Sequence, residues 1–197
     1  MRRPERILLA SASPRRAELL ARMGYAFDVV PPDVDETVRA GADPAAEAER
    51  LAAAKAEDVA GRTPPSILVA ADTVVALGGE ILGKPRDRAH AREMLGRLSG
   101  TRHHVITGLC VLDTRAGRRR VGSVSTAVTM TAMTPRQIAE YVDSGEADGK
   151  AGAYAIPETA DRYVSHLEGS FDNVVGLPTE RLGEILRELG AEPGRPA

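Results

Sequence analysis

The amino-acid sequence predicts one α/β domain whose sheet is mixed and not wholly parallel. Three observations carry that expectation. Short apolar runs are followed at once by capped helix patterns, a long stretch alternates at period two around a single turn, and no linker long enough to separate domains interrupts the 197 residues. A chain of this length carries a prior of about 1.3 domains, so one compact domain with at most two lobes leads. Folding should then bury about 70% of the unfolded chain's surface. A hydrophobic share of 43% against 27% charged residues suits a globule and argues against disorder.

The first unit is strand, turn and helix. ILLAS (residues 7–11) reads as a short buried strand, with Ser13 as N-cap, Pro14 opening a helix, Ala17, Leu20 and Met23 on its apolar face, and Gly24 as its C-cap. FDVVP (27–31) follows as a second strand, then an acidic loop with Asp33, Asp35 and Glu36. A long helix is expected from about Pro44 to Ala60, with Ala46, Leu51, Ala54 and Val59 among its inward residues and Gly61 ending it. ILVAAD (67–72) reads as a buried strand closed by Asp72, and VVAL with EIL as a hairpin turned by Gly78 and Gly79. Asp87 can cap a helix to Leu98. HHVITGLCVLD and RRVGSVSTAVTMTA form the period-two hairpin around TRAG. Thr134 and Pro135 start a helix to about Ser144, RYVSHLEG and NVVGLP read as the last strands, and Thr179–Leu189 as the last helix. Residues 1–190 thus form the domain, with 191–197 a flexible Pro/Gly tail.

Charge and cysteine content exclude several classes. With 28 acidic against 26 basic side chains, a broad phosphate-neutralising surface for nucleic acid is not expected. One cysteine, Cys110, rules out an intramolecular disulfide framework, and its apolar strand suits a buried small side chain better than a nucleophile. The apolar run at 7–10 is too short for a secretory segment, and no run approaches the ~20 residues of a membrane helix, so a cytoplasmic protein is expected. His103 and His104 alternate on a strand, so at most one points inward, and no Gly-x-Ser-x-Gly elbow supports a serine hydrolase. The basic residues divide into 23 Arg and 3 Lys (Lys55, Lys84, Lys150). Against that background each retained ammonium hints at a site needing a compact point charge.

Chemistry concentrates at Ser11-Ala12-Ser13-Pro14-Arg15-Arg16, on a strand-to-helix junction. Hydroxyls, guanidinium forks and free helix N–H groups suit a polyphosphate. An N-cap followed by solvated arginines is the plainer alternative, although it leaves two arginines in a first turn where the helix dipole disfavours cations. Gly78 to Lys84 matches the spacing of a phosphate-binding P-loop, yet Pro85 follows where a hydroxyl and a helix are required, which argues against a Walker-type NTPase. Asp72, at a strand's carboxyl end, sits where α/β sheets present catalytic groups, or else simply caps a loop. The acidic loop with Asp72 could hold Mg²⁺ against substrate phosphates, or be a solvated loop.

Taken in order, LLASASPRRAELL, VDET, AADTVV, GKPRD, SGTRHHVITGL, DGKAGAYAI and NVVGLP resemble the Maf family of nucleoside triphosphate pyrophosphatases over nearly the whole chain. The resemblance implies an elongated mixed α/β sheet like that of the inosine triphosphate pyrophosphatases, two lobes around a deep cleft, and a homodimer. It implies Mg²⁺- or Mn²⁺-dependent cleavage of a nucleotide to its monophosphate and pyrophosphate. By motif, Ser11, Ser13, Arg15 and Arg16 would cradle phosphates, Lys55 and Lys84 would neutralise them, Glu36 and Asp72 would bind metal, and Asp72 would activate water. Arg15 and Thr73 resemble the members acting on dTTP and UTP. Pro157 departs from the Gln or Glu of the family, so either Glu158 reads the base through a shifted loop or base selection is looser. A nucleotide-binding regulator of cell division without turnover is the competing class. The pair Asp72 and Glu36 favours the enzyme, because a pure anion sensor has no use for carboxylates that repel its ligand.

Overall fold

The computed structural model of the chain describes residues 7–154, 156 and 160–193. Among these residues seven strands form one mixed sheet, six of them in the order β2-β1-β3-β5-β6-β7 and the seventh, β4, beside β3. Strands β1 (Ile7–Ala10), β2 (Phe27–Val29) and β3 (Ile67–Leu77) run parallel, whereas β5 (Arg102–Asp113), β6 (Arg118–Met130) and β7 (Val164–Glu168) continue from β3 antiparallel. The short β4 (Glu80–Leu82) folds back on the end of β3 through a turn in which Gly78 and Gly79 both have positive φ. This glycine pair therefore closes a hairpin, which removes the P-loop reading of the same residues.

Helices lie on both faces. They are α1 (Pro14–Arg22), α2 (Pro44–Ala60), α3 (Arg88–Leu98), α4 (Pro135–Asp143), α5 (Phe171–Val175) and α6 (Thr179–Glu188). Asp43 and Asp87 cap α2 and α3, and Thr134 with Gln137 makes a capping box on α4. Among the described residues no helix is long and apolar enough to cross a membrane. Residues 194–197 of the expected tail, and Pro157 and Glu158, lie outside the described residues.

Four expectations are corrected. NVVGLP forms no strand: Ser170 caps helix α5, and Gly176, at φ 122°, ends it. Gly24 is not the cap residue of α1. It follows the cap Met23 and takes the left-handed conformation with φ 79°. Ala46 is exposed, because the inward face of α2 is centred on Glu47, Ala48, Leu51, Lys55 and Val59. Asp72 does not close a strand. The β-branched run Thr73, Val74 and Val75 carries β3 on to Leu77.

The cleft opens beside this stretch of β3. β1 pairs β3 only as far as Ala70, and β4 pairs it only from Val75, so among the described residues no strand pairs residues 71–74 along that edge. The core divides at the same level. On one face of the sheet, Val69, Ala71 and Leu109 pack under α1 and α6, whereas Val75 and Val105 pack with α3 and α4. On the other face, Leu68 and Ala70 pack under one part of α2 and Val74 and Ala76 under another. Asp72 and Thr73 therefore stand at the seam between two lobes, one on each face of the sheet.

Candidate active site

The cleft at this seam has a volume of about 760 Å³ and takes side chains from both lobes. Ser11, Ser13, Arg15, Arg16, Glu36, Lys55, Asp72, Thr73 and Lys84 all line it. These are all the sequence-predicted site residues except Glu158, which is not described. Of the acidic loop, only Glu36 is among these: Asp35 Oδ1 binds the amide and hydroxyl of Thr37, and the Asp33 amide donates to Asp58 Oδ2 at 3.0 Å.

Lys55 is the centre of the charged half. Its Nζ lies 2.6 Å from Asp72 Oδ1 and 2.6 Å from Glu36 Oε1, and its side chain is only 5% exposed. Glu36 Oε2 in turn accepts from Lys84 Nζ at 2.5 Å. Partial burial alone would raise the Glu36 pKa, but the hydrogen bonds and charges of Lys55 and Lys84 outweigh it and hold the carboxyl at about 2. Asp72 Oδ2 has no hydrogen-bond partner among the described residues.

The approach of Lys55 to Asp72 depends on a glycine. Gly108 faces Asp72 across the β3–β5 ladder, and a Cβ there would lie 2.3 Å from the carbonyl carbon and oxygen of Ala48 in α2. Only a residue without a side chain lets the α2 backbone lie this close to the sheet. The loop bearing Glu36 is pinned to the same helix. Glu47, buried on α2, accepts from the Arg39 amide and Nε and from Arg50, which also reaches the Thr37 carbonyl.

On the opposite face, Arg16 Nε donates to the Gly176 carbonyl at 2.8 Å, and its terminal nitrogens donate to Ser11 Oγ at 3.4 Å and Thr73 Oγ1 at 3.1 Å. Burial lowers the Arg16 pKa, while Asp72 and Glu36 raise it. Ser13 occupies the N-cap position of α1 without a side-chain cap bond. Its amide donates instead to Ser11 Oγ at 3.1 Å. Ser11 thus organises the turn, and Arg15 beside it has neither ion pair nor hydrogen bond among the described residues.

The cleft also holds residues beyond those nine. Lys150 lines it with Gly149 and Ala151, and an apolar half is made by Val75, Val105, Tyr154, Ile156, Val174 and Val175. The scarcity of lysine pointed to Lys150. The apolar residues could not be told from core by pattern. Tyr154 Oη hydrogen-bonds the buried His103 at Nε2, 2.6 Å away, and burial lowers the His103 pKa to about 4. Cys110 is fully buried, which pushes its thiol up to about 11 and removes it from chemistry.

Among the described residues no three His, Cys, Asp or Glu side chains converge to hold a metal. Two carboxylates do converge, on Lys55. A hard divalent cation commonly takes one or two carboxylates and completes its shell with substrate phosphates and water, so Glu36 and Asp72 suit such an ion.

The model of the family described as "Maf-like protein" matches residues 6–189. A "dTTP/UTP pyrophosphatase" of Pelotomaculum thermopropionicum is 44% identical over 93% of this chain and 96% of its own. A protein of the same name from Paramagnetospirillum magneticum is 47% identical over 95% and 98%. Among solved structures, the Staphylococcus aureus Ham1 protein superimposes with a TM-score of 0.52 over 94% of this chain and all of its own, at 16% identity. That likeness shows the fold alone.

Proposed function

The chain belongs to the Maf-like protein family, and from that premise we propose that it is a nucleoside triphosphate pyrophosphatase acting on dTTP and UTP, the activity named for its relatives. The observation that carries this reading is the division of one cleft into a charged half and an apolar half. Cations from α1, α2 and the β4–α3 loop surround two carboxylates, while valines and Tyr154 offer a surface for a nucleoside. A triphosphate has this same division of character.

In this reading Arg15, Arg16, Lys55 and Lys84 neutralise the charge that spreads over the phosphoryl oxygens in the transition state. Glu36 and Asp72 would hold Mg²⁺ or Mn²⁺, which when bound would draw charge from the phosphates and orient them. Water attacks the α-phosphorus, a P–O bond forms, the α–β bridging bond breaks, and pyrophosphate leaves with the pair of electrons. Asp72 Oδ2 is the oxygen available for the water's proton, since Oδ1 is held by Lys55. Ser11 and Ser13 shape the turn that presents the arginines. We also propose a cytoplasmic homodimer, from composition and family resemblance, with Glu158 as a candidate base reader.

Asp72→Asn tests the assignment. It should lower kcat by at least ~10²-fold in protein that circular dichroism shows to be folded, with Tm lowered because Lys55 loses a buried partner. Full turnover by this variant, or turnover by the wild type unchanged in EDTA, would overturn the mechanism.

A further inference from the structure

We propose that Thr107, a buried residue outside the cleft lining, is a positioning residue that fixes the direction of the Thr73 hydroxyl and thereby sets which bases the cleft accepts. The inference rests on the pyrophosphatase reading above and deepens it.

Thr107 is fully buried, and its Oγ1 lies 2.9 Å from the Asn173 carbonyl and 2.9 Å from Thr73 Oγ1. A carbonyl only accepts, so the one hydroxyl proton of Thr107 is committed to Asn173. Turned the other way, that proton would leave two oxygens 2.9 Å apart with no hydrogen between them. The Thr73 hydroxyl must then donate to Thr107. Its remaining near neighbour, Arg16, can only donate to it, at 3.1 Å. The hydrogen bonds therefore all run inward, from Arg16 to Thr73 to Thr107 to Asn173. The last member is held firmly, because Asn173 Nδ2 donates to the Val105 carbonyl at 3.0 Å and to Thr126 Oγ1 at 2.9 Å.

Thr73 lines the cleft on the face that carries Val75 and Val105, beside the apolar half. With its proton spent on Thr107 and one lone pair on Arg16, it offers a ligand one lone pair and no donor. It therefore favours a ring that presents an N–H and disfavours one that presents a bare ring nitrogen. Among pyrimidines this separates the imide N–H of uracil and thymine from the unprotonated ring nitrogen of cytosine. Without the Thr107 hydroxyl, the Thr73 proton is released and Thr73 can donate or accept.

The test compares kcat/KM for UTP and CTP in wild type, Thr107→Val and Thr107→Ser. Thr107→Val keeps the shape and removes the hydroxyl, so the UTP to CTP ratio should fall by about 2- to 10-fold, the worth of one neutral hydrogen bond. Thr107→Ser should restore the ratio. A structural role alone would lower both substrates together, and an unchanged ratio in Thr107→Val would overturn the proposal. If that variant fails to fold, Thr107→Ala against Thr107→Ser reads the same hydroxyl, with equal ratios again overturning it. Wild-type protein that cleaves neither nucleotide would overturn the pyrophosphatase reading instead. The relay would then be judged by calorimetric binding of UTP and CTP to the same variants, with the same ratios supporting or refuting it.

Discussion

Replacing Lys55 with Met removes the ammonium at the centre of the cleft and keeps most of its stem. The Asp72 side chain is 12% exposed, so its loss of a partner is that of a buried pair, for which about 3 kcal/mol is the lower end. The Glu36 side chain is 37% exposed and retains Lys84, so its share is discounted to about 0.5 kcal/mol. Together these lower stability by about 3.5 kcal/mol, which for a chain of this length moves Tm down by about 7–14 °C. The two carboxylates left facing each other should also bind Mg²⁺ more tightly than in the wild type. At a concentration 100 times its Kd the ion would return about 2.7 kcal/mol. Thermal unfolding of both proteins, with and without Mg²⁺, reads both effects. A variant as stable as the wild type, or one that Mg²⁺ stabilises no more than the wild type, would refute the picture of one ammonium neutralising both carboxylates.

Three further outcomes follow from the same geometry. Lys84→Arg keeps the charge but replaces a compact ammonium at Glu36 by a planar fork, and should lower kcat/KM by about 10-fold, whereas an equal value would show that charge alone matters. Glu47→Gln should lower stability at pH 7 by about 2–3 kcal/mol, since the Arg50 and Arg39 bonds lose a buried carboxylate. Those bonds, Arg50 first, outweigh burial and hold Glu47 at about 2 against an ordinary 4.5. The stabilisation is therefore complete above about pH 5 and fades as pH falls toward 2, so urea titrations should show the gap between the two proteins closing at low pH, and a constant gap would contradict it. Gly108→Ala drives a Cβ into the α2 backbone and should cost about 3 kcal/mol with loss of activity, while a variant with wild-type Tm would mean that α2 does not need this close approach.

Local signals made most of the elements legible. Pro44, Asp87, and Thr134 with Pro135 set three helix starts, and alternation set the β5–β6 hairpin, because such signals and periodicity act within a few residues. NVVGLP was misread because a five-residue helix is too short to show a period, and its apolar valines serve a cleft and not a sheet. Asp72 was misplaced at a strand end because a carboxylate inside an apolar run looks like a terminus, whereas the interrupted pairing along β3 that admits it involves β1 and β4, far apart in sequence. The charged residues of the site could be named from spacing and composition. Their supports could not: Gly108, Glu47, Thr107 and Asn173 gain their roles only from contacts across the fold.

In the proposed reaction water attacks the α-phosphorus of a pyrimidine triphosphate bound in this cleft. The most direct measurement follows dTTP by phosphorus NMR in water enriched in a heavy oxygen isotope, with Mg²⁺ present. dTMP and pyrophosphate should grow in equal amounts, with the heavy oxygen in dTMP alone. Heavy oxygen in pyrophosphate, or dTDP with orthophosphate as the products, would contradict it.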